Sequence, residues 1–127
     1  MVKFRKAGAK DFPRIKNLIK LYPQHLLQSP IPRSVDFFVA IADKRVVGCC
    51  ALEVYSKRLA ELRSLVVKEE FQGKGIATKL IKLCLARAKR EKVQEVLTIT
   101  SAVRLFGKSG FKTFRREKYA LLKTIKQ

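Results

Sequence analysis

The stretch "VVKEEFQGKGIATKLI", Val66 to Ile81, decides how this chain folds. It begins as an apolar run, crosses an acidic patch, passes two glycines that lie two residues apart, and continues with apolar residues at helical spacing. The apolar run predicts a strand, and the later stripe predicts an amphipathic helix. The stretch therefore predicts a strand and a helix joined by a glycine-rich turn.

The glycine turn has the chemistry of an anion site. A helix N-terminus presents unpaired backbone N–H groups and a partial positive charge. Gly73 and Gly75 lack the Cβ atoms that would keep a ligand away from those amides, and Lys74 and Lys79 add positive charge. These residues predict a pyrophosphate cradle. The alternative is a helix start whose glycines only allow a tight turn.

Two familiar phosphate motifs do not match this turn. A P-loop needs Gly-x-x-x-x-Gly-Lys-[Ser/Thr], which the stretch lacks. A Rossmann fingerprint needs a third glycine and a parallel βαβ unit, whereas the segments before this turn predict antiparallel hairpins.

Working outward from the turn, the chain predicts a mixed α/β fold (α+β mixed) in one domain, residues 1–127. The predicted strands are "VKFRKA", "DFFVAIA", "RVVGCCALEVY", "LAELRSLVV", "EVLTIT", "FKTFRR" and "KYALLKTI". Helices are predicted from Asp11, as N-cap, to Tyr22, over "GIATKLIKLCLARAKRE", and over "SAVRLFGKS". "QHLLQSPIPRS" is predicted to be irregular. The expected architecture is a mostly antiparallel central sheet flanked by helices.

Composition limits the partners. The chain has 29 Lys and Arg against 10 Asp and Glu, a formal net charge of +19. Such a field attracts nucleic acid, phosphorylated cofactors and acidic metabolites, although it is equally compatible with a purely solvated surface. Cys49, Cys50 and Cys84 lie in apolar surroundings without metal-type spacing, which predicts buried free thiols and no metal site. No signal peptide and no apolar run of ~20 residues is present, so a soluble, cytoplasmic protein is expected.

The turn and a second motif resemble one family. Gln72-Gly73-Lys74-Gly75-Ile76-Ala77 is similar to the Gln/Arg-x-x-Gly-x-Gly/Ala signature of the GNAT family of N-acetyltransferases. In "LFGKSGF", Phe106, Gly110 and Phe111 are similar to the family's aromatic-x-x-x-Gly-Phe element. The resemblance spans nearly the whole chain. It implies an acyl-CoA N-acyltransferase fold and acetyl-CoA as the cofactor.

The resemblance also implies particular roles. Coenzyme A contacts are expected from Leu65, Val66, Val67, Gln72, Gly73, Lys74, Gly75, Ile76, Ala77 and Phe106. The strand residues would pair with the pantetheine arm, and the amide of Leu65 or Val66 would face the thioester oxygen. Glu61 matches the position of the glutamate that serves as general base in several branches. Its alternative is a surface glutamate paired with Arg63 or Arg58.

One departure from the family concerns the general acid. A tyrosine usually stands at the position of Phe106, where this chain has no hydroxyl. The thiolate then leaves with help from water or from another tyrosine, or the chain is a non-catalytic relative. Tyr55 and Tyr119 are the candidates, although an amphipathic packing role is the simpler interpretation for both. His25 is expected in a surface or capping role.

The segment "PIPRSVDFFVAIADKRVVGCCALEVYSKRLAELRSLVV" resembles the N-acetylglutamate synthase-like branch of the family. This implies a small acidic amine substrate, most directly L-glutamate, with Arg33 and Arg63 as carboxylate partners because arginine binds carboxylates bidentately. The alternatives are a protein lysine or N-terminal acetyltransferase, and a nucleic-acid-binding relative without turnover. The 9% aromatic content without basic-aromatic interleaving argues against nucleic acid. Homodimers are frequent in the family, so a homodimer is one alternative for the oligomeric state.

Overall fold

The computed structural model describes residues 1–24, 26, 28–113, 121, 123 and 125. In chain order its helices and strands are β1 Lys3–Lys6, α1 Phe12–Lys20, β2 Phe37–Ala42, β3 Arg45–Val54, β4 Leu59–Val67, α2 Ile76–Arg90, β5 Glu95–Leu97 and α3 Val103–Gly107. Single 3-10 turns precede α1, β2 and α2, at Ala9–Asp11, Ser34–Asp36 and Glu69–Phe71. Within these residues, no helix has the length and apolar character that a membrane crossing requires.

The strands form one sheet in the order β1-β2-β3-β4-β5. The first three pairings are antiparallel, and β4 pairs with β5 in parallel. The predicted β2–β3 hairpin is confirmed: Ala42 pairs with Arg45, and Asp43 and Lys44 between them have φ of 50° and 64°. Two positive φ values match the twist of the flanking strands. The mostly antiparallel sheet with flanking helices agrees with the sequence-based prediction.

A hydrophobic core lies on each face of the sheet. On one face α2 packs against the strands, with Leu52, Leu80 and Ile81 buried. On the other face α1 packs against the sheet, with Ile15 and Ile19 buried. Because neighbouring residues of a strand point to opposite faces, adjacent cysteines separate between the two cores.

The cysteines follow this rule. Cys49 belongs to the core under α1, whereas Cys50 and Cys84 belong to the core under α2. All three are buried and free, as predicted.

A β-bulge interrupts β4. Val66 pairs with Cys49 and Arg63 with Ala51, so Ser64 and Leu65 together oppose one residue of β3. Ser64 has a φ of 57°, in the left-handed region that non-glycine residues rarely adopt. The extra residue changes the alternation of faces. As a result Val66 packs in the core under α1, on the face that carries Arg63.

Several boundaries differ from the prediction. Asp11 is the N-cap residue of α1, as predicted, but its side chain makes no capping hydrogen bond. Its carboxylate instead accepts hydrogen bonds from Arg5 Nη1 at 2.7 Å, from Arg5 Nη2 at 3.0 Å and from the Gly8 amide at 2.7 Å. Arg5 on β1 therefore binds the two carboxylate oxygens that would otherwise have accepted hydrogen bonds from the first amides of α1. α1 ends at Lys20, before the predicted Tyr22.

The last strands also differ. β5 ends at Leu97, whereas the sequence predicts a strand through Thr100. The described residues Phe111–Thr113 do not form a strand, and the rest of the predicted closing pair falls largely outside the described residues. His25 and Tyr119 also lie outside them.

Candidate active site

The sheet opens between β4 and β5. The two strands pair only from Leu59 with Glu95 to Glu61 with Leu97. Beyond that point β4 continues to Val67. Thr98, directly after β5, still contacts β4 through a hydrogen bond from its Oγ1 to the Leu62 carbonyl at 3.1 Å, and the described residues after it do not pair with β4. The opening is a cleft of about 960 Å³. It has the length and the apolar strand walls that suit an extended ligand.

Four parts of the chain enclose this cleft. β4 from Glu61 onward forms one wall, and residues 98–102 with α3 form the other. The glycine turn lies at one end, and Tyr22 and Leu26, which follow α1, line the cleft beside it.

The glycine turn is fixed to the end of β4. The Lys68 amide donates to the Val47 carbonyl at 2.8 Å, and the Gln72 side-chain amide donates to the Val67 carbonyl at 2.8 Å. Gly73 and Gly75 have φ of 78° and 82°, which L side chains rarely adopt. Among the described residues, no atom lies within 4 Å of a Cβ added at either position. The turn therefore leaves open space in front of the first amides of α2, where an anion is stabilised.

Eight of the ten residues predicted to contact coenzyme A line this cleft: Leu65, Val66, Val67, Gln72, Gly73, Gly75, Ala77 and Phe106. Lys74 and Ile76 do not. Lys74 is exposed on the turn, and the Ile76 side chain is buried in the core under α2. Lys79 is directed to β1, with its ammonium group 5.9 Å from the centre of the Phe4 ring. The positive charge at the turn thus comes from Lys74 and from the N-terminus of α2, without Lys79.

A cluster of polar side chains lies around the first half of β4, at the end of the cleft away from the glycine turn. Glu53 and Glu61 are cross-strand neighbours. Tyr55 Oη donates to Glu61 Oε1 at 2.5 Å and also approaches Glu53 Oε1 at 3.3 Å. Arg63 donates from Nη1 to Glu53 Oε1 at 2.7 Å and from Nη2 to the Pro30 carbonyl at 2.8 Å. Glu61 and Arg63 both line the cleft.

This arrangement revises the expected pairing of Glu61. Its recorded partner is Tyr55, whereas Arg63 pairs with Glu53. Partial burial of the hydroxyl, and next the hydrogen bond to Glu61, raise the pKa of Tyr55 above its usual range, so the hydroxyl remains protonated and acts as a donor.

Arg33 does not reach the cleft. Its side chain is 80% exposed, and its Nε donates to Asp36 Oδ2 at 3.3 Å. The buried Asp36 also accepts from Arg87 Nη1 at 3.3 Å, which connects α2 to the turn before β2. The structure thus brings Arg63, and not Arg33, together with Glu61.

Phe106 occupies the position where the family usually has tyrosine. It is buried, lines the cleft, and packs edge-to-face on Phe111 with ring centres 5.4 Å apart. Tyr22 is the tyrosine that lines the cleft among the described residues. Its hydroxyl oxygen accepts a hydrogen bond from the Glu69 amide at 3.0 Å. The helical pattern had identified Tyr22 only as part of the apolar face of α1.

Other cleft residues were missed as well. Thr78, Thr98, Ser101 and Lys108 line the cleft. Thr78 could have been found from its place in the first turn of α2. Thr98 could not, because the predicted strand continues through Thr100, and Ser101 and Lys108 were predicted only as parts of the helix "SAVRLFGKS".

The comparison with known proteins identifies the family. Residues 33–113 match the model of the Acetyltransferase (GNAT) domain. That match extends from the segment before β2 to the residues after α3, and so includes β2 to β5, the glycine turn and all of the cleft lining except Tyr22 and Leu26. The chain belongs to the GNAT acetyltransferase family.

Individual relatives support this assignment. The chain is 43% identical over 82 residues to an uncharacterized N-acetyltransferase of Chlorobaculum tepidum, which covers 65% of this chain and 53% of the relative. It is 28% identical over 117 residues to an amino-acid acetyltransferase of Mycobacterium tuberculosis, which covers 84% of this chain and 66% of the relative. The chain thus spans between about half and two thirds of the length of these relatives.

A solved structure shows the same fold. The crystal structure of Rv2747 from Mycobacterium tuberculosis, in complex with CoA and NLQ, superposes with a TM-score of 0.80 at 30% identity. The superposition covers 87% of this chain and 71% of that one.

Proposed function

We propose that this domain transfers an acetyl group from acetyl-CoA to the amine of a small acidic amino acid, with L-glutamate as the first candidate. The observation that carries the proposal is the opening between β4 and β5, which has the glycine turn at one end and Glu61 within it. A relative named as an amino-acid acetyltransferase and a similar structure crystallised with CoA support it.

The residues of the cleft fit coenzyme A. The turn with its two left-handed glycines and the first amides of α2 would hold the diphosphate. Leu65, Val66 and Val67 extend past the end of β5, so their backbone groups on that side are available to the amides of a pantetheine arm. When bound, acetyl-CoA supplies an acetyl group activated as a thioester.

Glu61 is positioned to act on the acceptor. Its carboxylate lines the cleft and has one oxygen engaged by Tyr55, which leaves Oε2 to take the proton from an ammonium group. The neutral amine would then attack the acetyl carbonyl carbon and the carbon–sulfur bond would break. The nitrogen would release its second proton to solvent as the amide forms, and the departing thiolate would take up one proton. The hydroxyl of Tyr22, which lines the same cleft, joins water as a candidate source of that last proton.

Arg63 is the candidate partner for a substrate carboxylate. A guanidinium has five N–H donors, and the bonds to Glu53 and Pro30 use two of them. Its side chain is only 14% exposed, and it lies two residues after Glu61 on the same face. Arg33 stays a prediction in this role, since binding at the cleft would require it to leave Asp36.

A second candidate acceptor is the amine of a protein lysine or N-terminus. One observation favours it: at the acceptor end, Glu53 and Glu61 carry two negative charges against the single positive charge of Arg63. Such a cluster attracts cationic groups as well as orienting them.

The experiment that tests the proposal is a thiol-release assay with acetyl-CoA. The acceptors are glutamate, glutamine, spermidine, an acidic peptide and a lysine-rich peptide, each also tested with Arg63→Lys and with Arg90→Lys on the exposed end of α2 as the matched control. Selective turnover of glutamate, with a KM raised roughly tenfold in Arg63→Lys alone, supports the first candidate. Turnover of peptides alone supports the second. Binding of acetyl-CoA without turnover of any amine contradicts both and favours a non-catalytic relative.

A further inference from the structure

Tyr55 lies at a place where the chain fixes its direction. β3 ends at Val54, and the amides of Tyr55 and Ser56 both donate to the Leu59 carbonyl, at 3.0 and 3.2 Å. Ser56 Oγ accepts from the amides of Arg58 and Leu59, at 3.1 and 3.2 Å. The turn into β4 is therefore well bonded. The Tyr55 side chain lies over the same sheet face as Glu53 and Glu61.

The carboxylates of Glu53 and Glu61 have different main donors, Arg63 for Glu53 and Tyr55 for Glu61. Arg63 Nη1 lies 2.7 Å from Glu53, so the guanidinium charge is drawn mainly to that carboxylate. The closest donor to Glu61 is the neutral hydroxyl of Tyr55, at 2.5 Å. A guanidinium partner would favour the ionised carboxylate so strongly that it would be a poor base, whereas a hydroxyl stabilises the ion and leaves it able to accept a proton.

We propose that Tyr55 is a positioning residue for Glu61: its hydroxyl holds Oε1, keeps the carboxylate ionised, and leaves Oε2 as the oxygen that takes the proton from the acceptor. Glu53 is the alternative acceptor for the same hydroxyl, at 3.3 Å, so Tyr55 can turn to Glu53 once Glu61 is protonated. This inference rests on the proposed function, in which Glu61 is the general base.

The surroundings of Glu61 make the effect measurable. Among the described residues, the charged and titratable groups that face it are Glu53 and Tyr55 from β3 and Arg63 along β4, while its partner on β5 is the apolar Leu97. Tyr55 is 52% exposed, so replacing it with phenylalanine removes a hydroxyl group without opening a cavity.

The test combines Tyr55→Phe, Glu61→Gln and the double variant. Tyr55→Phe removes the donor that lies 2.5 Å from Oε1 of Glu61, so the carboxylate loses that hydrogen bond. In Tyr55→Phe, the acid limb of the pH profile of kcat/KM should move up by about one pH unit, and kcat should fall roughly tenfold. Adding Tyr55→Phe to Glu61→Gln should change nothing further. The midpoint of thermal unfolding is the folding control.

A second measurement does not depend on turnover. In protein labelled with ¹³C at the glutamate carboxyl carbons, the Glu61 signal is assigned by its loss in Glu61→Gln. Its titration midpoint should rise in Tyr55→Phe. In Glu53→Gln it should fall, because a neighbouring like charge is removed and Arg63 loses its anionic partner. A titration midpoint that moves in opposite directions in Tyr55→Phe and Glu53→Gln would not arise from a non-specific destabilisation of the strand, which would act in the same way in both variants.

The outcomes separate the two proposals. If Glu61→Gln destroys activity while Tyr55→Phe leaves both the pH profile and the carboxyl titration unchanged, the role of Tyr55 is wrong and that of Glu61 stands. If the losses of activity in Tyr55→Phe and Glu61→Gln multiply in the double variant, the two residues act independently, and the role of Tyr55 is also overturned. Full turnover by Glu61→Gln across the pH range overturns Glu61 as base, and the positioning role with it.

Discussion

The side-chain amide of Gln72 donates a hydrogen bond to the carbonyl oxygen of Val67 at 2.8 Å, which ties the glycine turn to the last residue of β4. Glu61 lies on the same strand, six residues before Val67. One continuous strand therefore sets the separation between the anion site at the turn and the carboxylate at the acceptor end. Because of this strand, the domain would hold the diphosphate of the cofactor at one end of the cleft and align its thioester with an acceptor amine at the other.

Replacing Gly75 with valine should weaken coenzyme A binding by tenfold or more. The substitution adds a branched side chain in the space in front of the α2 amides, and it strains a residue with a φ of 82° by roughly 1–2 kcal/mol. In the part of the chain that the structure describes, no atom lies within 4 Å of the new Cβ, so the chain should still fold. Calorimetric titration with coenzyme A and thermal unfolding measure the two effects.

The control for backbone strain in this experiment is Gly110→Val. Gly110 has a φ of 93° and is not among the residues that line the cleft, and among the described residues no atom lies within 4 Å of a Cβ added there. It should lose similar stability and keep its coenzyme A affinity. Equal loss of affinity in both variants would mean that the turn does not hold the diphosphate.

Replacing Glu61 with glutamine should lower kcat by ~10²-fold or more if the carboxylate is the general base. The affinity for coenzyme A should change little, because the glycine turn lies at the other end of the cleft. Initial rates are compared with those of Glu95→Gln, which removes an exposed carboxylate on the neighbouring strand β5. A rate for Glu61→Gln that equals the control at every pH would remove Glu61 from the chemistry.

Replacing Asp11 with asparagine should destabilise the fold in a pH-dependent way. The hydrogen bonds from Arg5, opposed by burial and aided by the Gly8 amide, hold the pKa of Asp11 below its usual range. Its contribution is therefore complete above the unfolded value of about 4 and is lost as the pH falls through the lower folded value. Because Arg5 is half exposed, the expected loss at pH 7 is about 1 kcal/mol.

Urea unfolding of Asp11→Asn and of the unchanged chain, between pH 7 and pH 2, measures this effect. The difference between them should shrink towards the acid end. Asp43→Asn in the exposed β2–β3 turn serves as the control. A difference that stays constant with pH would show that the charge of Asp11 is not what stabilises the N-terminal segment.

The three thiols should resist labelling in the folded protein. Burial raises the pKa of Cys49, and the neighbouring Cys84 thiol together with burial raises that of Cys50. The thiolate is the reactive form, so a disulfide reagent at pH 8 should react within minutes only after denaturation. An added Lys89→Cys, exposed on α2, should react at once in the folded protein. Fast labelling of the native chain would contradict the packing of both cores.

Local patterns in the sequence were sufficient for much of this fold. The β4 prediction "LAELRSLVV" has the same bounds as the strand, because apolar residues and a tight turn define both ends. The glycine turn was equally visible, because positive φ at two positions demands glycine.

What the sequence could not show depends on contacts between distant segments. The pairing of Glu53 with Arg63, and of Tyr55 with Glu61, follows from the β3–β4 register. The cleft wall after Leu97 follows from the departure of β5 from β4, which no periodicity records. The exposure of Arg33 follows from a local bond to Asp36 that competes with the role inferred for it.

The bulge at Ser64 and Leu65 has a consequence for how β4 tolerates change. Because one additional residue exchanges the two sheet faces, it alone allows Arg63 to border the cleft and Val66 to fill the core under α1. Deleting a single residue between Glu61 and Val66 would move the side chains on one side of the deletion to the opposite face of the sheet. Replacing one side chain there alters one contact. Changing the number of residues instead turns the side chains around Glu61 to the other sheet face relative to those next to the glycine turn. Relatives that keep the chemistry should therefore hold the residue count of this segment constant, while its positions other than Glu61 and Arg63 vary in residue type.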